Sequence, residues 1–329
     1  MEIAPGIHQI RIPMPDNPLG RLNCYLLDGE AGYLMIDTGW NTRDAFAALK
    51  AELGSLGLGF TDLSTIVVTH VHPDHFGLAG RIRQISPDVK VLAHQWECDL
   101  IQSRYIKFAG LQDGMGDLFC RHGVPASEVA ALVSASMPVL RYVSVTLPDR
   151  VLYGGETIST GLHDLEVIWT PGHSPGHICL YEPKNRLLFS GDHILPSITP
   201  NVSYNVQSGD NPLGDYMCSL QKLRKLPVAR VLPGHEEVFS DLEGRIRQIM
   251  EHHERRKAEV DQIVGRVPQS AYRISSQITW NLSDLTWDRF PLLHKRAAVT
   301  ETIAHLECMR CEGRVERVVE HDRVRYSVR

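Results

Sequence analysis

His70-Val71-His72-Pro73-Asp74-His75 packs into one short run the side chains that hold divalent transition metals. At this chain's own His and Asp frequencies, an H-x-H-x-D-H run arises by chance in about 0.2% of sequences of this length. Neutral imidazole nitrogen and carboxylate oxygen are the ligands zinc takes in hydrolytic sites. Histidines two apart on a strand point to one side, and a following loop lets Asp74 and His75 turn toward a second position. The motif alone supports one ion or two. His173 lies in Thr170-Pro171-Gly172-His173-Ser174-Pro175-Gly176-His177, Asp192 follows Ser190-Gly191, and His235 follows Leu232-Pro233-Gly234. Each repeats one design: an apolar strand, a small residue, then a ligand-type side chain at the strand's end. Glycine there lets the backbone bend tightly enough for that side chain to reach a common point.

The elements that must position these residues are short β-like runs alternating with helical stretches. Ile7–Ile12, Asn23–Leu27, Tyr33–Ile36, Leu63–Thr69, Val89–Ala93, Leu165–Thr170, His177–Tyr181, Leu187–Ser190 and Arg230–Leu232 read as strands. Asn41 or Thr42 is placed to cap a helix through Ala45, Phe46, Leu49 and Leu53. Between about residues 95 and 148 the rhythm turns helical, with Trp96, Tyr105, Phe108, Met115, Phe119, Met137 and Tyr142 either packing the insert onto the body or closing a pocket. Asp241 is placed to cap a long helix ending near Gly265. A second helix over Arg296–Arg310 and two strands, Arg314–Val319 and Arg323–Val328, follow.

A chain of 329 residues predicts one large domain with an appendage. Residues 1–241 form the catalytic domain, and residues 242–329 a C-terminal domain whose helices and two-stranded ribbon outline a winged helix. No apolar run is long enough to span a bilayer. Met1–Gly6 has no basic flank before an apolar stretch, which predicts no secretory leader. Seven scattered cysteines fit a reducing cytoplasm better than a disulfide framework. Charge is uneven: 16 basic against 12 acidic residues from Arg245 onward, 18 against 27 before it. An acidic body suits a cation site and disfavours nucleic acid near it.

With these motifs in place, the chain resembles the metallo-β-lactamase superfamily over about residues 1–240, Ile36-Asp37-Thr38-Gly39 matching its early Asp motif. The resemblance implies an α/β fold, a four-layer αββα sandwich with metals at the sheets' shared edge. It implies two zinc ions per chain, with iron or manganese as substitutes. One ion would sit on His70, His72 and His173, and the other on Asp74, His75 and His235, with Asp192 bridging. Asp37 would steady the loops that carry them. A hydroxide bridging the ions would attack a carbonyl or phosphoryl centre, oriented by Asp74 as the catalytic carboxylate.

Departures from subfamily patterns narrow the reaction. True β-lactamases of this fold lack the bridging Asp, and oxygen reductases carry Glu where His72 stands. Lactonases place Tyr where this chain has Leu195. Glyoxalase II matches the seven ligands, but its glutathione-binding region does not resemble residues 242–329. The expected reaction is hydrolysis of a small acyl ester or thioester, acyl-CoA-like. Alternatives are an endoribonuclease of the lactamase-like group, a lactonase, and a mononuclear-iron sulfur dioxygenase. For the tail, a homodimer contact or a pocket wall is favoured over nucleic-acid binding. His177 and His193 are expected to make structural hydrogen bonds, and Tyr204 and Asn205 to lie on an ordinary loop.

Overall fold

The computed structural model describes residues 1–280 and 285–329. Two sheets lie face to face. The first contains β1 (Glu2–Ala4), β2 (Ile7–Pro13), β3 (Arg21–Leu27), β4 (Tyr33–Ile36), β5 (Leu63–Val67), β6 (Lys90–His94) and β7 (Arg150–Leu152), in that spatial order. β1 to β4 pair antiparallel, and β4 to β7 pair parallel. Parallel neighbours need crossovers. These are α1 (Arg43–Ser55), then α2 (Pro73–Phe76) with α3 (Ala79–Ile85), then a helical insert of α4 (Gln95–Ile101), a π turn (Gln102–Ile106), α5 (Phe108–Arg121) and α6 (Ala126–Ser134). The second sheet is an antiparallel meander of β8 (Thr157–Ser159), β9 (Asp164–Trp169), β10 (Ile178–Glu182) and β11 (Leu187–Gly191). After α7 (Pro212–Leu223), β12 (Arg230–Pro233) joins it parallel to β11.

Alternation along the strands decides which layer each residue enters. Ile36, Val67 and Leu92 of the first sheet meet Val167, Leu180, Phe189 and Leu232 of the second in the central core. Their neighbours Met35, Ile66 and Val91 face the other way, onto Leu49 and Leu53 of α1 and Ile82 of α3. On the far side Cys179, Tyr181 and Leu188 meet Tyr216 and Leu220 of α7. The result is the helix–sheet–sheet–helix sandwich expected. Thr42 is the residue that caps α1, its Oγ1 accepting the Ala45 N–H at 3.1 Å.

The last stretch holds α8 (Leu242–Ile263), α9 (Ala271–Ser275), α10 (Leu292–Cys311) and an antiparallel hairpin, β13 (Val315–Glu320) with β14 (Arg323–Val328). Asp241 caps α8, accepting the Gly244 N–H at 2.8 Å. Leu242, Ile246 and Ile249 complete the outer layer of the second sheet. Further along, Val260 and Val264 enter a different core, where Met115, Phe119 and Leu132 of the insert meet Ile274, Val299, Ile303 and Tyr326. The insert and the C-terminal region therefore pack as one body.

Three strands, β1, β7 and β8, and the helix α7 were not readable from the sequence; three-residue strands are too short to show alternation. The strand expected to reach Thr69 stops at Val67. Thr69 instead gives its N–H to Asp37 Oδ1 at 2.8 Å, trading a ladder bond for a bond to a carboxylate.

Candidate metal centre

The expected ligand residues gather at one edge of the sandwich. His70, His72, Asp74 and His75 follow β5, His173 follows β9, Asp192 follows β11 and His235 follows β12. They fall into two groups, His70 with His72 and His173, and Asp74 with His75, Asp192 and His235, each with its candidate ligand atoms within 4.8 Å of one another. In the first group His70 Nε2 and His173 Nε2 approach His72 Nδ1 to 2.9 and 3.1 Å. Nitrogens bound to one tetrahedral zinc at ordinary bond lengths stand about 3.3 Å apart. Burial, with neighbouring histidines, holds His70 and His72 well below the usual imidazole range, leaving their lone pairs free.

In the second group His235 Nε2 lies 3.1 Å from Asp74 Oδ2, and His75 Nε2 lies 3.3 Å from Asp192 Oδ1. Asp192 faces both groups, because its Oδ2 lies 3.8 Å from His173 Nε2. His75 Nε2 and Asp192 Oδ1 are buried with no hydrogen-bond partner among the described residues. Unpaired buried polar atoms are costly. Two that face each other across 3.3 Å fit a shared cation.

Partners behind the rings fix which nitrogen faces inward. Asp37 Oδ2 accepts the Nδ1–H of His75 at 2.7 Å, and Asp37 also holds Thr69 through its backbone N–H and hydroxyl. His173 Nδ1 donates to the Asn201 carbonyl at 2.8 Å, and His235 Nδ1 to the Arg21 carbonyl at 2.7 Å. Each turns Nε2 toward the cluster, the arrangement that orients metal-ligating histidines. The His235 loop is tied across the sheets by Tyr25, whose hydroxyl donates to the Pro233 carbonyl at 2.8 Å. Gly234 is required by close approach: a Cβ there would stand 2.7 Å from Asp192 Oδ1 and 2.8 Å from His75 Cε1.

Glu97 was not picked out from the sequence, yet it links the two metal-bearing loops. Fully buried on α4, it accepts the Val71 N–H at 2.7 Å and the Gly176 N–H at 2.9 Å, and the Ser174 hydroxyl donates to it. The available signal was an acidic residue on a helix directly following a buried strand that neighbours the motif strand. His177 makes its expected structural bonds, to the Thr170 hydroxyl at 2.9 Å and from the Asp192 N–H at 3.2 Å. His193 does not: neither ring nitrogen has a partner among the described residues, and the ring packs on Tyr216 instead. Asn205 lines the cavity beside the cluster, together with Tyr105, Phe108 and Met115 of the insert, whereas Tyr204 packs into the core. The insert thus supplies a wall of that cavity, and Trp96 stays exposed.

Buried, convergent imidazoles and carboxylates on strand-end loops of an αββα sandwich are the equipment of a metal-dependent hydrolase that uses divalent ions. The family model for the metallo-beta-lactamase superfamily matches residues 18–235, and the chain belongs to that superfamily. It is 26% identical to a probable metallo-hydrolase, YqjP, of Bacillus subtilis over 92% of each chain. It is 32% identical to the acyl-coenzyme A thioesterase MBLAC2 of Gallus gallus, over 67% of this chain and 74% of that one. The crystal structure of the metallo-beta-lactamase family protein TTHA1429 from Thermus thermophilus is similar over the whole of both chains, with 31% identity and a TM-score of 0.82. No helix among the described residues is long and apolar enough to cross a membrane.

The metal-free state carries a proton that a metal must displace. Burial alone would lower the pKa of His235, but Asp192 and Asp74 outweigh it and push it up to about 8. Its proton is therefore bound at pH 7 and lost as pH rises past 8. Metal uptake at pH 7 should release it, and apparent affinity should fall about tenfold per pH unit below 8 from this group. Calorimetry of metal binding in buffers of different ionisation enthalpy measures the protons released; a release of zero at pH 7 would contradict the assignment.

Proposed function

We propose that this chain is a dinuclear zinc hydrolase of thioesters, with an acyl-CoA-like substrate as first choice. The observation that carries this reading is Asp192, whose two oxygens face the two ligand groups at 3.3 and 3.8 Å, a placement suited to a bridge. His70, His72 and His173 would hold one ion, and Asp74, His75 and His235 the other. Bound there, the ions would supply a hydroxide nucleophile at neutral pH and charge stabilisation of the developing oxyanion. Asp37 orients His75 through its Nδ1–H. Burial pushes the Asp74 carboxyl up, but His75 and His235 outweigh it and hold the group below its ordinary value. It is therefore ionised at neutral pH and able to accept a hydrogen bond from the attacking hydroxide, which orients it. A thiolate leaves with little protonation, so one carboxylate suffices, whereas an amide would need a stronger acid.

The apolar cavity beside His72 suits an acyl chain, and the likeness to a protein named an acyl-coenzyme A thioesterase supports the thioester. The three C-terminal helices and hairpin support a winged-helix reading of residues 242–329 following a catalytic domain over 1–241. Seven free cysteines support a reducing, cytoplasmic setting. One observation favours the phosphodiesterase alternative: Arg121, Arg273, Arg323 and Arg325 line a surface hollow by the hairpin. Metal analysis of protein purified without added metal, followed by a panel of thioesters, esters, lactones and RNA, separates the readings. Two zinc ions per chain and thioester turnover near about 10⁴ M⁻¹s⁻¹ or above are expected. One iron per chain, or turnover of RNA alone, would overturn the proposal.

A further inference from the structure

The cavity beside His72 has a volume of about 260 Å³ and is lined by both apolar and polar side chains. Tyr105, Phe108, Leu111 and Met115 make one wall, and Arg104 and Arg296 both open into it. Among the described residues, no aspartate or glutamate lines it. Neither arginine has a carboxylate oxygen within 4.0 Å among the described residues. The adjacent Lys295 of α10, by contrast, is paired to Glu128 of α6 at 3.0 Å.

The two guanidinium groups are held in position without a direct ion pair among the described residues, although Arg104 acts electrostatically on buried Glu97 and Arg296 lies over the Phe119 ring at 5.5 Å. Arg104 Nε donates to Gln207 Oε1 at 3.2 Å. Arg104 sits on the π turn, which Tyr105 pins to the metal-bearing loop by donating to the Val71 carbonyl at 2.6 Å. Arg296 Nη1 donates to the Leu132 carbonyl at 2.9 Å, at the end of α6. The other guanidinium donors of both side chains have no protein acceptor among the described residues. Burial, and then the Arg104 charge, push Arg296 down to about 10, so Arg296 stays charged at neutral pH. Like charges kept together in a half-buried cavity are costly unless an anion joins them. Guanidinium forks match carboxylate and phosphate oxygens in geometry and charge.

We propose that Arg104 and Arg296 form an oxyanion-recognition subsite, so that the enzyme selects substrates carrying a carboxylate or phosphate remote from the scissile bond over neutral ones. The claim deepens the thioester reading and rests on it for the substrate class alone. The oxyanion belongs either to the acyl group, as a distal carboxylate, or to the thiol carrier, as a phosphate. Four substrates separate these sources: glutaryl and pentanoyl thioesters, each on coenzyme A and on N-acetylcysteamine, which lacks phosphate.

The wild-type enzyme should favour glutaryl over pentanoyl on N-acetylcysteamine at least tenfold if the acyl carboxylate is read. It should favour coenzyme A over N-acetylcysteamine at fixed acyl group if the phosphate is read. Arg104→Gln, on the half-exposed turn, should collapse whichever preference exists by tenfold or more, mainly through KM. Arg296→Lys keeps a charge without the fork and should retain part of it. Calorimetric binding of glutarate and of coenzyme A to the metal-loaded protein reads the same subsite without turnover, with affinity at least tenfold weaker in Arg104→Gln. If no thioester is hydrolysed yet anion binding depends on Arg104, the subsite stands and the thioester reading falls. If both anions bind Arg104→Gln and Arg296→Lys as they bind wild type, or wild type shows no preference in either arm, the subsite is wrong.

Discussion

Asp192→Asn should lower metal content to at most one ion per chain and cut kcat/KM by about 10³-fold or more. Both oxygens of Asp192 are in use, Oδ1 facing His75 and Oδ2 facing His173. An amide keeps the shape but offers one acceptor oxygen and turns two hydrogens toward the other group. It also removes the negative charge best placed to attract a second cation. In the metal-free fold the change removes no hydrogen bond at Oδ1 among the described residues, but it does remove the charge that helps hold the His235 proton. The informative pair of measurements is therefore metal stoichiometry and thermal unfolding with and without metal. The stripped variant should melt below the stripped wild type at pH 7, and should in addition lose most of the stabilisation that metal confers. A variant that kept two ions and full activity would remove Asp192 from the bridging role.

Glu97→Ala should be the most damaging change outside the ligand set. Glu97 takes three donors at once, the Val71 and Gly176 amides and the Ser174 hydroxyl, in a place closed to solvent. Removing it leaves those donors buried and unpaired, at roughly 1–3 kcal/mol each, so a loss of about 3 kcal/mol or more is expected. The Val71 amide lies between His70 and His72, and Gly176 and Ser174 follow His173, so the same change frees both loops of the first ligand group. Metal affinity should weaken by about 10- to 100-fold. Glu97→Gln retains one acceptor but sets an NH₂ against amide donors, so its cost should fall in between. Urea unfolding of the stripped proteins gives the first effect and competition with a chelator the second; an alanine variant unchanged in both would mean the loops are held by something else.

The ligand residues were legible because each obeys a local rule. An apolar run ends, a glycine or proline bends the chain, and a His or Asp follows; strand ends on one side of a sheet then bring such residues together. Asp37 was legible only through family resemblance, since a lone aspartate after a strand has many uses. Glu97 was legible through neither route. Its role depends on α4 lying over two loops far from it in sequence, and that contact is a property of packing. The same holds for Arg104 and Arg296, whose cavity exists only once the insert has docked on α10. His193 shows the opposite failure: proximity in sequence to Asp192 suggested hydrogen bonding, but its ring is turned into an aromatic layer against Tyr216. Short strands and α7 were missed for want of length or of a strong period, and tertiary pairing supplies what local pattern lacks.

Helix α8 has two landlords. Its first turns roof the second sheet through Ile246 and Ile249, and its last turns enter the core built by the insert and the hairpin through Val260. A chain cut at its start would lose the roof over the sheet that carries His173 and Asp192, so shortened proteins would report damage to the metal-bearing body and not merely absence of a tail. Its 22 residues join the core beneath the hairpin to the layer behind the metal loops. The appendage and the sandwich thus share one helix.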